Sequence, residues 1–177
     1  MRRVRYSVAT SLDGFISPID GSHDWIVMDC GFDFPGLMAS FDTVLLGRRT
    51  FEMAARMGGG GAMPGMKAIV FSRTLDKNEH KDVRIVSDGA AATIRELKSQ
   101  PGKDIWLFGG GNLFASLLAE RLVDRIELAV MPVLLGGGVP FLSSPAPRAQ
   151  LKLVSSNTLK KGVVSLVYEH IAAGAAT

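Results

Sequence analysis

Cysteine is nearly absent from this chain. A single one, Cys30, stands among 177 residues, which excludes an internal disulfide and any multi-cysteine metal site. Histidine is scarce too: His23, His80 and His170 stand far apart with no ligand spacing, so no metal is expected. The net charge is only +3, and Arg2, Arg3, Arg5, Arg48, Arg49, Lys160 and Lys161 are dispersed without interleaved aromatics. That pattern argues against nucleic acid and for local anion sites. No apolar run approaches the ~20 residues of a membrane span, and the stretch from Met1 to Tyr6 has no apolar run long enough for a signal peptide. A cytoplasmic protein without a membrane partner is the expectation.

With 47% hydrophobic and 21% charged residues, the composition is that of one ordinary globular domain spanning residues 1–177. Its centre is the stretch from Ile105 to Phe114. Four apolar residues run into Gly109-Gly110-Gly111, and Asn112 then opens an apolar pattern at 113, 114, 117, 118 and 122, so a buried strand is predicted to turn tightly into a helix. Glycines let the backbone approach a ligand closely, and the free N–H groups of a helix start favour a phosphate. The stretch reads either as a cradle for a diphosphate-bearing cofactor or as a glycine-rich connection with no ligand.

Elsewhere the pattern repeats. Val4, Tyr6 and Val8 alternate as a strand, after which residues 10–25 form a long loop, read as a lid over a pocket, in which Trp25 is either a lid residue or a core anchor. Phe34, Leu37, Met38 and Phe41 share a helical face behind Asp29 and Asp33. The strand 43–46 ends in Gly47-Arg48-Arg49-Thr50, a second strand-to-helix turn, with two cations suited to phosphate oxygens. Gly58 to Gly61 reads as a flexible loop. The strand 68–71 ends in Ser72-Arg73-Thr74, so a third strand presents cations and hydroxyls at its carboxyl end, where open sheets bind ligands. A strand at 83–86, a helix capped by Ser87-Asp88, a strand at 125–130, a bulged loop from Val133 to Phe141 and a hairpin from 151–159 to 163–171 complete the chain, and Ala172 to Thr177 should fray.

Taken in order, Ser11-Leu12-Asp13-Gly14-Phe15-Ile16, Leu46-Gly47-Arg48-Arg49-Thr50-Phe51, Phe71-Ser72-Arg73, Phe108-Gly109-Gly110-Gly111-Asn112-Leu113 and Pro132-Val133-Leu134-Leu135-Gly136-Gly137-Gly138 resemble the dihydrofolate reductase superfamily. The nearest branch is the reductase (C-terminal) domain of bifunctional riboflavin-biosynthesis deaminase-reductases. The resemblance implies an α/β fold of three layers, with a central, mixed, mostly parallel sheet, flanking helices and a C-terminal antiparallel hairpin. It implies NADPH across the strand ends and hydride transfer to a small substrate, a pteridine, pyrimidine or pentose derivative, beneath the first loop, and it suggests a homodimer. Gly47, Arg48, Arg49 and Thr50 would hold the cofactor phosphates, Ser72 and Arg73 would face the adenosine 2′-phosphate, and Gly110, Gly111, Asn112 and Leu113 would cradle the diphosphate. The zinc signature of the deaminase half is absent.

Reduction of C=N or C=O also consumes a proton. Asp33 is the expected donor or orienter, with Asp13, Asp24 or an ordered water as alternatives. Folate reductases carry a carboxylate early in the first helix, and here the helix offers only Asp29 or Asp33. The rival readings are a true dihydrofolate reductase and a non-enzymatic NADP-binding sensor. A Rossmann dehydrogenase fits poorly, because Phe114 occupies the third glycine position of its fingerprint.

Overall fold

The computed structural model describes residues 1–56 and 63–171. The expected loop at Gly58 to Gly61 and the expected fraying of Ala172 to Thr177 lie outside the described residues.

The first strand, β1 (Val4–Ser11), alternates as its sequence requires and is set in the middle of an eight-stranded sheet. It pairs in parallel with β6 (Asp104–Gly109) on one side and β7 (Arg125–Met131) on the other. Beyond β6 lie β3 (Phe41–Gly47), β4 (Lys67–Phe71) and β5 (Arg84–Val86), all parallel. Beyond β7, β10 (Val164–His170) runs antiparallel and pairs with β9 (Leu151–Thr158), which closes the sheet as the expected hairpin. The carboxyl ends of β3, β4 and β6 therefore sit side by side, which is why three separate sequence motifs can serve one place.

Side chains alternate across this sheet and build two cores. On one face Val4, Tyr6, Leu45, Ile69, Ile105 and Leu107 pack against α3 (Ala90–Ser99) and α4 (Gly111–Ala119). Tyr6 stacks on Phe114 at 4.1 Å between ring centroids, and Phe141 closes the group at 5.5 Å and 5.2 Å. On the other face Val44, Leu46, Val70 and Trp106 pack against α1 (Phe34–Ala39) and α2 (Arg48–Ala54) through Leu37, Met38 and Phe51. Helices on both sides of the sheet give the three layers expected.

Several boundaries differ from the sequence reading. Phe41 opens β3 instead of ending α1. The helix at 90–99 is not capped by Ser87 or Asp88: Gly89 holds the cap position at φ +70, and no side chain bonds to the helix start. Glycine reaches that left-handed conformation without steric cost, so the chain enters the helix one residue later than the polar pair suggests. The loop from Val133 to Phe141 contains a short strand, β8 (Val139–Pro140), paired with β2 (Phe15–Ser17) in a second, small sheet.

Candidate functional site

One face of β1, β7 and β10 is left uncovered by helices, and part of it is built of small residues: Ala9, Ala129 and Ser165 fall in register across the three strands, beside the row of Ser7, Glu127 and Val167. Where packing helices would need large side chains, these leave space. A cavity of about 1770 Å³ opens over them and extends to the ends of β3, β4 and β6, larger than the ~300–1,000 Å³ of a pocket for a single small molecule.

The outer wall is the long loop. Ser22, His23, Trp25, Ile26, Val27 and Met28 all line the cavity, so the lid reading holds geometrically. Trp25 also joins the apolar cluster of Cys30, Met131 and Val163, and both roles considered for it are met. The loop is fastened at its base by the Ser11-Leu12-Asp13-Gly14 motif. The Asp13 carboxylate accepts hydrogen bonds from Ser11 Oγ at 2.6 Å, Leu135 N at 3.1 Å and Gly136 N at 2.7 Å. Gly138 presses on the Ser17 carbonyl at φ +140, where any side chain would collide. Two motifs far apart in sequence thus form one clamp.

Those three hydrogen bonds, the Ser11 hydroxyl first, hold the Asp13 carboxyl below the usual carboxylate range. A depressed folded-state value contributes stability above the unfolded value, near 3.9, and that contribution is lost as pH falls through the folded value. The clamp is therefore expected to persist through neutral and mildly acidic pH and to open only in stronger acid. Asp13→Ala should open it at neutral pH: the Leu135 and Gly136 amides, hydrogen-bonded to Asp13 in the native chain and expected to be protected there, should exchange roughly at loop rates. Unchanged protection would remove Asp13 from this role.

At the far end, α4 starts at Gly111, one residue before the expected Asn112, with Gly110 as its cap and no side-chain cap hydrogen bond. Gly47 precedes α2 in the same uncapped manner. Gly47, Arg48, Arg49, Thr50, Gly110, Gly111, Asn112 and Leu113 all line the cavity. Thus α4's free N–H groups, Thr50 and two guanidiniums converge there. Arg48 is paired with Glu52 at 2.8 Å. Gly110 stands at φ −100 and ψ −169, and a Cβ there would meet only Thr50 Oγ1, at 3.4 Å. Gly111 differs: a Cβ would strike Pro140 O at 2.5 Å and Ser143 Oγ at 2.6 Å, so packing against the 140–143 segment already requires glycine there. A cradle of this kind fits a diphosphate.

At the end of β4 the expected pair divides. Arg73 is exposed and lines the cavity. Ser72 is buried and does not: its Oγ accepts from Thr74 N at 3.2 Å and Leu75 N at 3.1 Å, closing the turn that follows the strand.

The carboxylates are also redistributed. Among the described residues lining the cavity, Asp33 and Glu127 are the only ones; Asp13 and Asp24, the alternatives on the loop, do not reach it. Asp33 caps α1, its Oδ1 accepting from Gly36 N at 2.9 Å, and it remains exposed. Glu127 was not anticipated as a site residue. It takes two hydrogen bonds from Arg5, at 2.9 Å and 3.0 Å, and one from Ser7 Oγ. The available signal was its phase: Arg125, Glu127 and Ala129 share one face of a strand whose other face, with Ile126 and Leu128, faces the core. Among the described residues no three His, Cys, Asp or Glu side chains are grouped to hold a metal ion, and no helix is long and apolar enough to cross a membrane.

Comparison with known proteins places this geometry. A dihydrofolate reductase from Enterococcus faecalis, solved with NADP(H), matches with a TM-score of 0.71 at 16% identity, covering 96% of this chain and 97% of that one. A Thermotoga maritima diaminohydroxyphosphoribosylaminopyrimidine deaminase/5-amino-6-(5-phosphoribosylamino)uracil reductase matches at 0.72 and 18%, covering 96% of this chain and 57% of that one. Both share the fold. The uncharacterized Bacillus subtilis protein YyaP is 34% identical over 178 residues, covering 94% of either chain. The profile of the RibD C-terminal domain matches residues 2–165, and the chain therefore belongs to the RibD C-terminal domain family, the reductase branch of the dihydrofolate-reductase-like fold.

Proposed function

We propose that this chain is an NADPH-dependent reductase acting on a C=N or C=O bond of a small substrate, a pteridine, pyrimidine or pentose derivative. The observation that carries the reading is the union, in one cavity, of an uncapped glycine-rich helix start, the strand-end arginines Arg48, Arg49 and Arg73, and a floor with the small residues Ser7, Ala9, Ala129 and Ser165 beneath a clamped loop. When bound, NADPH supplies the hydride. The chain's own residues bind, orient and exclude water. Gly47, Arg48, Arg49, Thr50, Gly110, Asn112 and Leu113 hold the phosphates, Gly111 sets the entry of the helix, and Arg73 takes the 2′-phosphate. The lid from Ser22 to Met28 keeps water from the reacting bond. Asp33, with one carboxylate oxygen engaged in its cap, is the group proposed to supply the proton.

The direct test is NADPH oxidation, followed at 340 nm, a standard assay wavelength, with dihydrofolate and with amino-pyrimidine and pentose derivatives side by side. Weak dihydrofolate turnover is expected, and failure of every substrate class alongside intact NADPH binding would favour a sensor. A cofactor-selectivity test is independent of substrate. Charge-assisted hydrogen bonds contribute roughly 1.5–3 kcal/mol, so Arg73→Ala should weaken NADPH about ten-fold or more and leave NADH nearly unchanged. Equal losses for the two cofactors in calorimetric titration would refute the assignment of Arg73.

A further inference from the structure

Charge is unevenly placed along the cavity. Arg48, Arg49 and Arg73 all stand toward the ends of β3 and β4, the end assigned to the cofactor. At the other end, over β1, β7 and β10, the only arginine or lysine among the described lining residues is Arg5. Arg5 is not available to an anion. It makes two hydrogen bonds to Glu127, a third to Ser40 Oγ at 2.8 Å, and an ion pair with Asp104 at 3.5 Å, while its guanidinium lies 4.6 Å from the Phe41 ring. Both partners of the Arg5–Glu127 pair are largely buried, at 13% and 14% side-chain exposure. Besides Glu127, the polar groups around this floor are the hydroxyls of Ser7, Ser40 and Ser165, His23 and the hydroxyl of Ser22 on the lid, and the Asp33 carboxylate, among apolar side chains.

Resting on the reductase reading of this cavity, we infer that its substrate is uncharged and carries no phosphate, and that Glu127 is the specificity-determining residue that excludes one. A phosphate carries roughly −1.5 to −2 charge at neutral pH. Placed over β1 and β7 it would lose its water without gaining an unengaged arginine or lysine, would face the Glu127 carboxylate, and would share one cavity with the cofactor's own phosphates. Glu127 thus acts by repulsion, which discriminates against a wrong ligand as effectively as attraction selects a right one. An uncharged heterocycle bearing hydroxyl or amide groups matches the serines and finds no opposing charge.

The test uses 5-amino-6-(ribosylamino)uracil and its 5′-phosphate, titrated calorimetrically into the whole protein saturated with NADP⁺. The native protein should bind the phosphate-free compound at least about ten-fold more tightly. Glu127→Gln keeps the shape and an acceptor for Ser7 but leaves Arg5 with only its longer ion pair to Asp104, and it should move the preference toward the phosphorylated compound by about ten-fold or more. Equal or tighter binding of the phosphorylated compound by the native protein, binding of neither compound, or an unmoved ratio in a folded Glu127→Gln protein would each overturn the inference. The native comparison needs no variant, so a Glu127→Gln protein that fails to fold leaves it decidable. NADPH oxidation in the same samples judges the reductase reading separately: the expected binding preference without turnover would sink that reading alone.

Discussion

Gly110→Val is expected to abolish cofactor binding while leaving the protein folded. At φ −100 and ψ −169 the residue lies in extended backbone and not in the left-handed region that favours glycine. A Cβ meets only the Thr50 hydroxyl, at 3.4 Å, and the two methyls beyond it would occupy the cradle between α2 and α4. At about a hundred-fold excess over its dissociation constant, NADPH should stabilise the native protein by about 2.7 kcal/mol. For a chain of this length that corresponds to a rise in Tm of roughly 5–10 °C. The variant should show no rise, with its ligand-free Tm within a few degrees of the native value. A full rise in a folded variant would put the diphosphate elsewhere. The same change at Gly111 cannot serve as the test, because the contact with Pro140 and Ser143 would disturb folding itself.

Asp33→Asn is expected to lower kcat about 10²-fold or more, the lower end of what a positioned proton donor contributes. Asparagine caps a helix as well as aspartate does, so the bond to Gly36 N and the stability of α1 should survive. This separates the two roles of the residue. As a cap alone, Asp33→Asn changes neither kcat nor Tm; as a donor it changes kcat and leaves Tm and NADPH affinity in place. Asp33 is open to solvent, whereas the other carboxylate among the described lining residues, Glu127, is held on both oxygens by Arg5. An unchanged kcat with the best substrate would leave an ordered water as the donor. Efficient dihydrofolate reduction that collapses in Asp33→Asn would instead mark Asp33 as a pterin-binding acid.

The elements with strong periodicity were legible in the sequence, because burial on one or both faces writes itself into the spacing of apolar residues. Ile105 to Phe108 and the helix after it, Thr43 to Leu46, and the C-terminal hairpin stand within a residue or two of where the pattern puts them. Phosphate-type motifs were legible for a related reason: a strand that ends in glycine and cations has few structural uses. What escaped was set by tertiary partners. Val139–Pro140 is a strand only because Phe15–Ser17 lies beside it, and two residues carry no period. Ser72 looks like a ligand in sequence and turns out to close its own loop. Glu127 is one charge inside a strand, and its role depends on Arg5 and Ser7, about 120 residues away along the chain. Pairings at that separation leave no local signal.

The place of β1 in the middle of the sheet also bears on how the molecule is made. Its two neighbours, β6 and β7, begin about a hundred residues further along the chain. At roughly 5–20 residues per second, synthesis leaves β1 unpaired on both edges for several seconds or longer. During that time Val4, Tyr6 and Val8 stay without the neighbours that bury them. Native contacts of such long range also slow folding after release. In cells, chaperone demand should therefore track β1: a polar substitution at Val8 would be expected to lower the yield of soluble protein more than its effect on the folded molecule accounts for.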